Sequence, residues 1–165
     1  MHFHGYLWTG DKAVHDKESV RRPPSSTEPA STSPPEVVQR YREAVTEWRV
    51  TGVPPMQTAH WLLKPAAFVR GTWDDPGRAA AWLGDRLVEH APRFAAKADR
   101  GSARQAALVA AAAERLGWGG DVSHGFYLEQ PVFLSLALVT CSPNRAMADQ
   151  PCPAGQGAEI HRPGS

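Results

Sequence analysis

Two histidines near the start of the chain and two cysteines near its end carry most of the chemistry available to this sequence. His2 and His4 flank one residue in MHFHGYLW. If that segment is extended, side chains alternate between faces, so both imidazoles project on the same side. Two histidines so placed can begin a zinc, copper or iron site that needs one or two further ligands. His60, His124 and Cys141 are the donors a fold would have to bring near. Without them, the pair is simply the half-exposed face of a strand, beside Tyr6 and Trp8. No CxxC, HxxxH or HExxH spacing occurs, so no metal motif is written in the sequence.

A second constellation is His124 with Cys141, at either end of the apolar stretch SHGFYLEQPVFLSLALVTC. A cysteine nucleophile needs a base beside it. A hairpin of residues 123–130 and 132–140 would bring the two toward each other. On this reading they are the catalytic candidates, although a cysteine in a buried strand also serves as a small hydrophobe. Cys152 with Cys141 offers a metal clamp or a disulfide, but it falls in an irregular segment where the stronger expectation is no role. Arg70 and Glu129 are charges set inside apolar runs. Either they pair and line a polar pocket with Trp61 and Tyr127, or each points to solvent from a strand's wet face, which is the favoured reading. LGWGGD follows a helical pattern instead of preceding one, the wrong order for a phosphate cradle.

The elements that must position these groups are readable from periodicity. HFHGYLW alternates like a strand, and residues 20–35, dense in Pro, Ser and Thr, read as a flexible linker. Ser33 and Glu36 fit a capping box ahead of a helix whose apolar stripe is Val37, Tyr41, Val45 and Trp48. TAHWLLKPAAFVRGTW resembles two short strands divided by Lys64 and Pro65, with a helical turn as the alternative for HWLL. Asp75 and Pro76 open a helix with Ala79, Leu83 and Leu87 on its stripe; Ser102 and Gln105 open another that ends at Gly117. PVFLSLALVT is apolar or small on both faces, the pattern of an interior strand covered from both sides.

The expected fold is α+β: a small, largely antiparallel sheet with about three helices packed on it, in a single domain. Residues 1–9 form an N-terminal strand that must return to pair with the C-terminal strands. Residues 10–35 are the linker, 36–143 the core and 144–165 an irregular tail. A net charge of +1, from 18 basic and 17 acidic side chains, gives no footprint for nucleic acid or an anionic membrane. The N-terminus lacks the features of a signal peptide, and no apolar run has transmembrane length. With only two cysteines, the expected setting is cytoplasmic. The sequence does not specify a cofactor. Its six tryptophans favour a small binding or accessory module with an aromatic-lined surface for a protein or small-molecule partner. The alternative is a small enzyme or metalloprotein built on His124, Cys141, His2 and His4.

Overall fold

The computed structural model describes residues 1–155, so the last ten residues of the expected tail lie outside the described residues. The fold is α+β, as the sequence pattern predicts. β1 (His2–Asp11) leads into two short helices, α1 (Lys12–His15) and α2 (Glu18–Arg21), and then a longer one, α3 (Pro35–Val50). β2 (Gly71–Trp73) precedes α4 (Pro76–His90) and α5 (Ser102–Gly117), and the chain closes the sheet with β3 (Val122–Tyr127) and β4 (Val132–Cys141).

The four strands run β2-β1-β4-β3, every neighbour antiparallel. β1 therefore occupies an interior place, and it pairs with β4 over its whole length, from His2↔Cys141 to Asp11↔Val132. The double-sided apolar pattern of β4 has its explanation here. Leu134, Leu136 and Leu138 face α4 and α5, meeting Leu83, Leu87, Leu116 and Phe94. Phe94 also stacks on Phe126 of β3, with ring centroids 4.7 Å apart. Ala137, Val139 and Cys141 face the other way, onto Tyr6, Trp61 and Leu62. Cβ atoms alternate along a strand, so two cores share one strand.

The second face is covered by residues 58–63, expected as a strand. They form a 3₁₀ turn, followed by another at Ala66–Phe68, and only Gly71–Trp73 is extended. The burial of Ala59 and Leu62, three apart with Trp61 between, suits a three-residue turn, whereas a strand would bury alternate positions. Pro65 then prevents the segment from joining a ladder. Lys64 at this junction is 2% exposed. Its ammonium donates to the carbonyls of Trp48 and Thr51 at 3.0 and 2.8 Å and lies 3.8 Å from the Trp48 ring centroid. One cation thereby satisfies carbonyls that the end of α3 leaves open. Burial lowers its pKa to about 8.

Helix starts follow the sequence in part. Asp75 caps α4 by accepting from the Arg78 amide at 2.8 Å, with Pro76 first in the helix. Neither capping box forms. Pro34 and Gly101 take the cap positions of α3 and α5, and the Gln105 carboxamide donates instead to the carbonyls of Asp99 and Arg100. The stripe on α3 is only partly used, with Trp48 buried and Val37 44% exposed. α4 and α5 approach closely at Gly84, where a Cβ would lie 3.0 Å from a Val109 methyl. In the segment expected as linker, residues 22–34 have no helix or strand. The Arg21 side chain bridges the carbonyls of His15, Pro54 and Pro55. Among the described residues no helix is long and apolar enough to cross a membrane.

Candidate metal centre

The β1–β4 register decides what meets at the end of the sheet. His2 lies opposite Cys141, and His4 opposite Val139. Residues two apart on β1 share a face, so both imidazoles stand beside the Cys141 thiol, and their ring centroids are 4.8 Å apart. Beyond Cys141 the chain reverses at Ser142, whose φ of 62° is in the left-handed region. Asp121 pins this reversal. Its carboxylate accepts from the Thr140 amide at 2.8 Å and from the Asn144 side-chain amide at 3.0 and 3.1 Å. The same amide nitrogen donates to the Thr140 carbonyl at 2.8 Å. Burial holds the Asp121 pKa above the usual carboxylate value, against the bonds from Asn144 and Thr140.

From there the chain returns to the sheet, and Cys152 closes the cluster. Its sulfur is 3.3 Å from His2 Nε2 and 3.4 Å from His4 Nε2. The ligand atoms of His2, His4, Cys141 and Cys152 all lie within 4.8 Å of one another. A tetrahedral ion with metal–nitrogen bonds near 2.05 Å and metal–sulfur bonds near 2.3 Å separates its donors by about 3.3 to 3.8 Å. The two nitrogen–sulfur distances meet that edge length, and none of the remaining separations exceeds 4.8 Å.

Outer contacts fix the inner ones. Thr72, opposite His4 in the β1–β2 ladder, has its hydroxyl 2.9 Å from His4 Nδ1. With the Nδ1 proton donated to that oxygen, the Nε2 lone pair faces Cys152, the tautomer a metal ligand requires. Burial, followed by the charge of His2, lowers the His4 pKa to about 4. Burial, followed by the terminal amine, lowers that of His2. Both imidazoles are therefore neutral at physiological pH, the form that ligates. Burial raises the Cys141 pKa, so its proton leaves on metal binding. Tyr6 extends the cluster inward: its ring stacks on Trp61 at 4.5 Å, and its buried hydroxyl has no hydrogen-bond partner.

The residues singled out in the sequence divide accordingly. His2, His4 and Cys141 come together. His124 pairs with Leu136, which faces the helices, whereas Cys141 lies five residues further along β4 on the opposite face. The hairpin forms, but its parity keeps His124 and Cys141 apart, and they make no dyad. His124 instead lines a cavity of about 540 Å³ with Trp118, Arg115 and Asp121. His60 is not in the cluster. Arg70 is exposed and its amide donates to the Gly5 carbonyl; Glu129 is exposed and paired with Arg93, so the two do not face each other. Trp61 is buried at 3% exposure, while Tyr127 is 57% exposed and meets Phe133 edge-on.

Sequence reasoning missed Thr72, Asp121 and Asn144, and it ranked a metal clamp or disulfide of Cys152 with Cys141 below no role for Cys152. The parity of His2 and Cys141 across a strand pair was the one available signal. No family model, curated protein or solved structure matches this chain.

Proposed function

We propose that this chain is a metal-binding protein whose His2, His4, Cys141 and Cys152 hold one transition-metal ion. The observation that carries the reading is the convergence of four nitrogen and sulfur donors, from three separate stretches of chain, within 4.8 Å. Imidazole and thiolate together suit zinc above the hard, oxygen-seeking cations. Four protein donors complete a tetrahedral shell and leave no open position for substrate, which supports a structural ion over a hydrolytic one. The ion would join the first strand, the last strand and the segment after it. A reducing compartment such as the cytoplasm keeps both thiols available for it.

The alternative, an aromatic surface for a partner, has thinner support. Trp48, Trp61 and Trp73 are buried in the cores, and Trp118, 48% exposed, is flanked by the guanidinium groups of Arg115 and Arg145. Elemental analysis and native mass spectrometry of untagged protein purified from cells test the metal reading. One zinc-class ion per chain is expected, lost in His4→Ala and Cys152→Ser and retained in His124→Ala. A metal-free protein that also fails to take up added zinc refutes it.

A further inference from the structure

We propose that Cys141 and Cys152 are an oxidation site, a thiol pair that hydrogen peroxide converts to a disulfide. Both thiols are free, and their sulfurs lie within 4.8 Å of each other. A disulfide needs about 2.05 Å, so one sulfur must travel less than 3 Å or so. The two sides differ in what holds them. Cys141 is fully buried at the end of an interior strand. Cys152 belongs to residues 146–155, where the Gln150 and Gly155 amides donate to carbonyls within the stretch and the Ala146 amide donates to the Asn144 side chain just before it. Among the described residues, the hydrogen bonds between residues 146–155 and the sheet are those of Cys152 to His2 and His4. The sulfur that must move is thus carried by a segment that lies outside the sheet ladder.

Exposure sets the order of events. Cys152 is half-buried, whereas Cys141 is enclosed, so peroxide meets Cys152 first. His4 Nε2, 3.4 Å away with its other nitrogen engaged by Thr72, presents its lone pair to that thiol's proton. The Cys152 sulfur attacks one oxygen of hydrogen peroxide, the O–O bond breaks, and the departing hydroxide takes the thiol's proton from His4 and leaves as water while Cys152 becomes a sulfenic acid. The Cys141 sulfur then attacks the Cys152 sulfur, the S–O bond breaks, and a second water leaves with the Cys141 proton. Two thiols have given up two electrons and two hydrogens, and one hydrogen peroxide molecule has become two waters. The disulfide removes two of the four donors, so oxidation releases the ion; this last consequence rests on the metal reading, and the disulfide does not.

The experiment exposes the untagged full chain, metal-free and zinc-loaded, to hydrogen peroxide and follows intact mass and a non-reduced peptide map. The expected result is loss of two hydrogens, a peptide linked through Cys141 and Cys152, and release of one equivalent of zinc from the loaded protein. In Cys141→Ser, Cys152 should stop at the sulfenic acid and be captured by a cyclic 1,3-dione. Wild-type protein in which Cys152 instead gains oxygens stepwise, or stays unmodified, overturns the proposal. Zinc binding without a disulfide leaves the metal reading standing alone, and a disulfide in a chain that never binds zinc leaves only the oxidation site.

Discussion

Thr72→Val removes one oxygen from the centre's outer contacts and changes little else. Valine keeps the shape and the strand preference of threonine at a position that is 6% exposed. What disappears is the acceptor 2.9 Å from His4 Nδ1, on an imidazole that is itself fully buried. Leaving a buried donor without a partner costs about 1 to 3 kcal/mol. That range is about a fivefold to 150-fold change in an equilibrium constant, which brackets the roughly tenfold to hundredfold effect of removing outer-shell partners of metal-bound histidines. Part of the cost falls on the metal-free fold as well. The remainder falls on metal affinity, because a ligated imidazole is the stronger N–H donor and because the freed ring can place its proton on Nε2. The assay is a competition titration with a chromophoric chelator, paired with urea denaturation of the metal-free variant. Zinc affinity should fall about tenfold or more, and Thr72→Ser should recover most of it. A folded Thr72→Val protein that binds zinc as tightly as wild type would refute the assignment of Thr72 and of the His4 Nε2 donor together.

Three further outcomes follow from the same contacts. Lys64→Met should destabilise the fold by about 2 to 4 kcal/mol in urea, because the carbonyls of Trp48 and Thr51 lose a charged donor; unchanged stability would mean water replaces it. In metal-free protein, His4 is held neutral with a pKa of about 4, against 6.5 when unfolded. The unfolded chain binds the extra proton in that window, so stability is present above pH 6.5 and lost as pH falls toward 4. The loss should be about 3 kcal/mol and should be missing from His4→Gln. Asp121→Asn exchanges an acceptor for a mixed amide facing the Asn144 amide. It should lower stability by about 1 to 3 kcal/mol and speed hydrogen exchange at the Thr140 amide, and full protection there would contradict the pinning role.

Much of the architecture was legible because it rests on alternation. β4 could be read as covered on both faces because both parities are apolar, and the pairing of β1 with it follows from an interior strand needing two partners. Residues 58–63 were not legible. Aromatic and apolar side chains suit a strand and a 3₁₀ turn alike, and the choice was made by the second core that Trp61 and Leu62 fill. The donors of the centre were half legible. His2 and His4 show their shared face locally, whereas Cys152 reaches them across 148 to 150 residues, through a reversal fixed by Asp121 and Asn144. No local pattern encodes a contact at that range.

The pairing of β1 with β4 also sets a timetable for the newborn chain. His2 and its strand partner Cys141 are separated by a stretch that a ribosome takes roughly 7 to 28 s to make, at about 5 to 20 residues per second. Throughout that interval β1 lacks its main neighbour, and the helices α4 and α5 lack the strand they cover. Loop closure of that length precedes any reward from the contacts it creates, which makes the central ladder a late event in folding. The sheet's earliest strand in the chain is therefore among the last to be placed, and an ion captured by all four donors can be loaded only onto a chain that is already complete through Cys152.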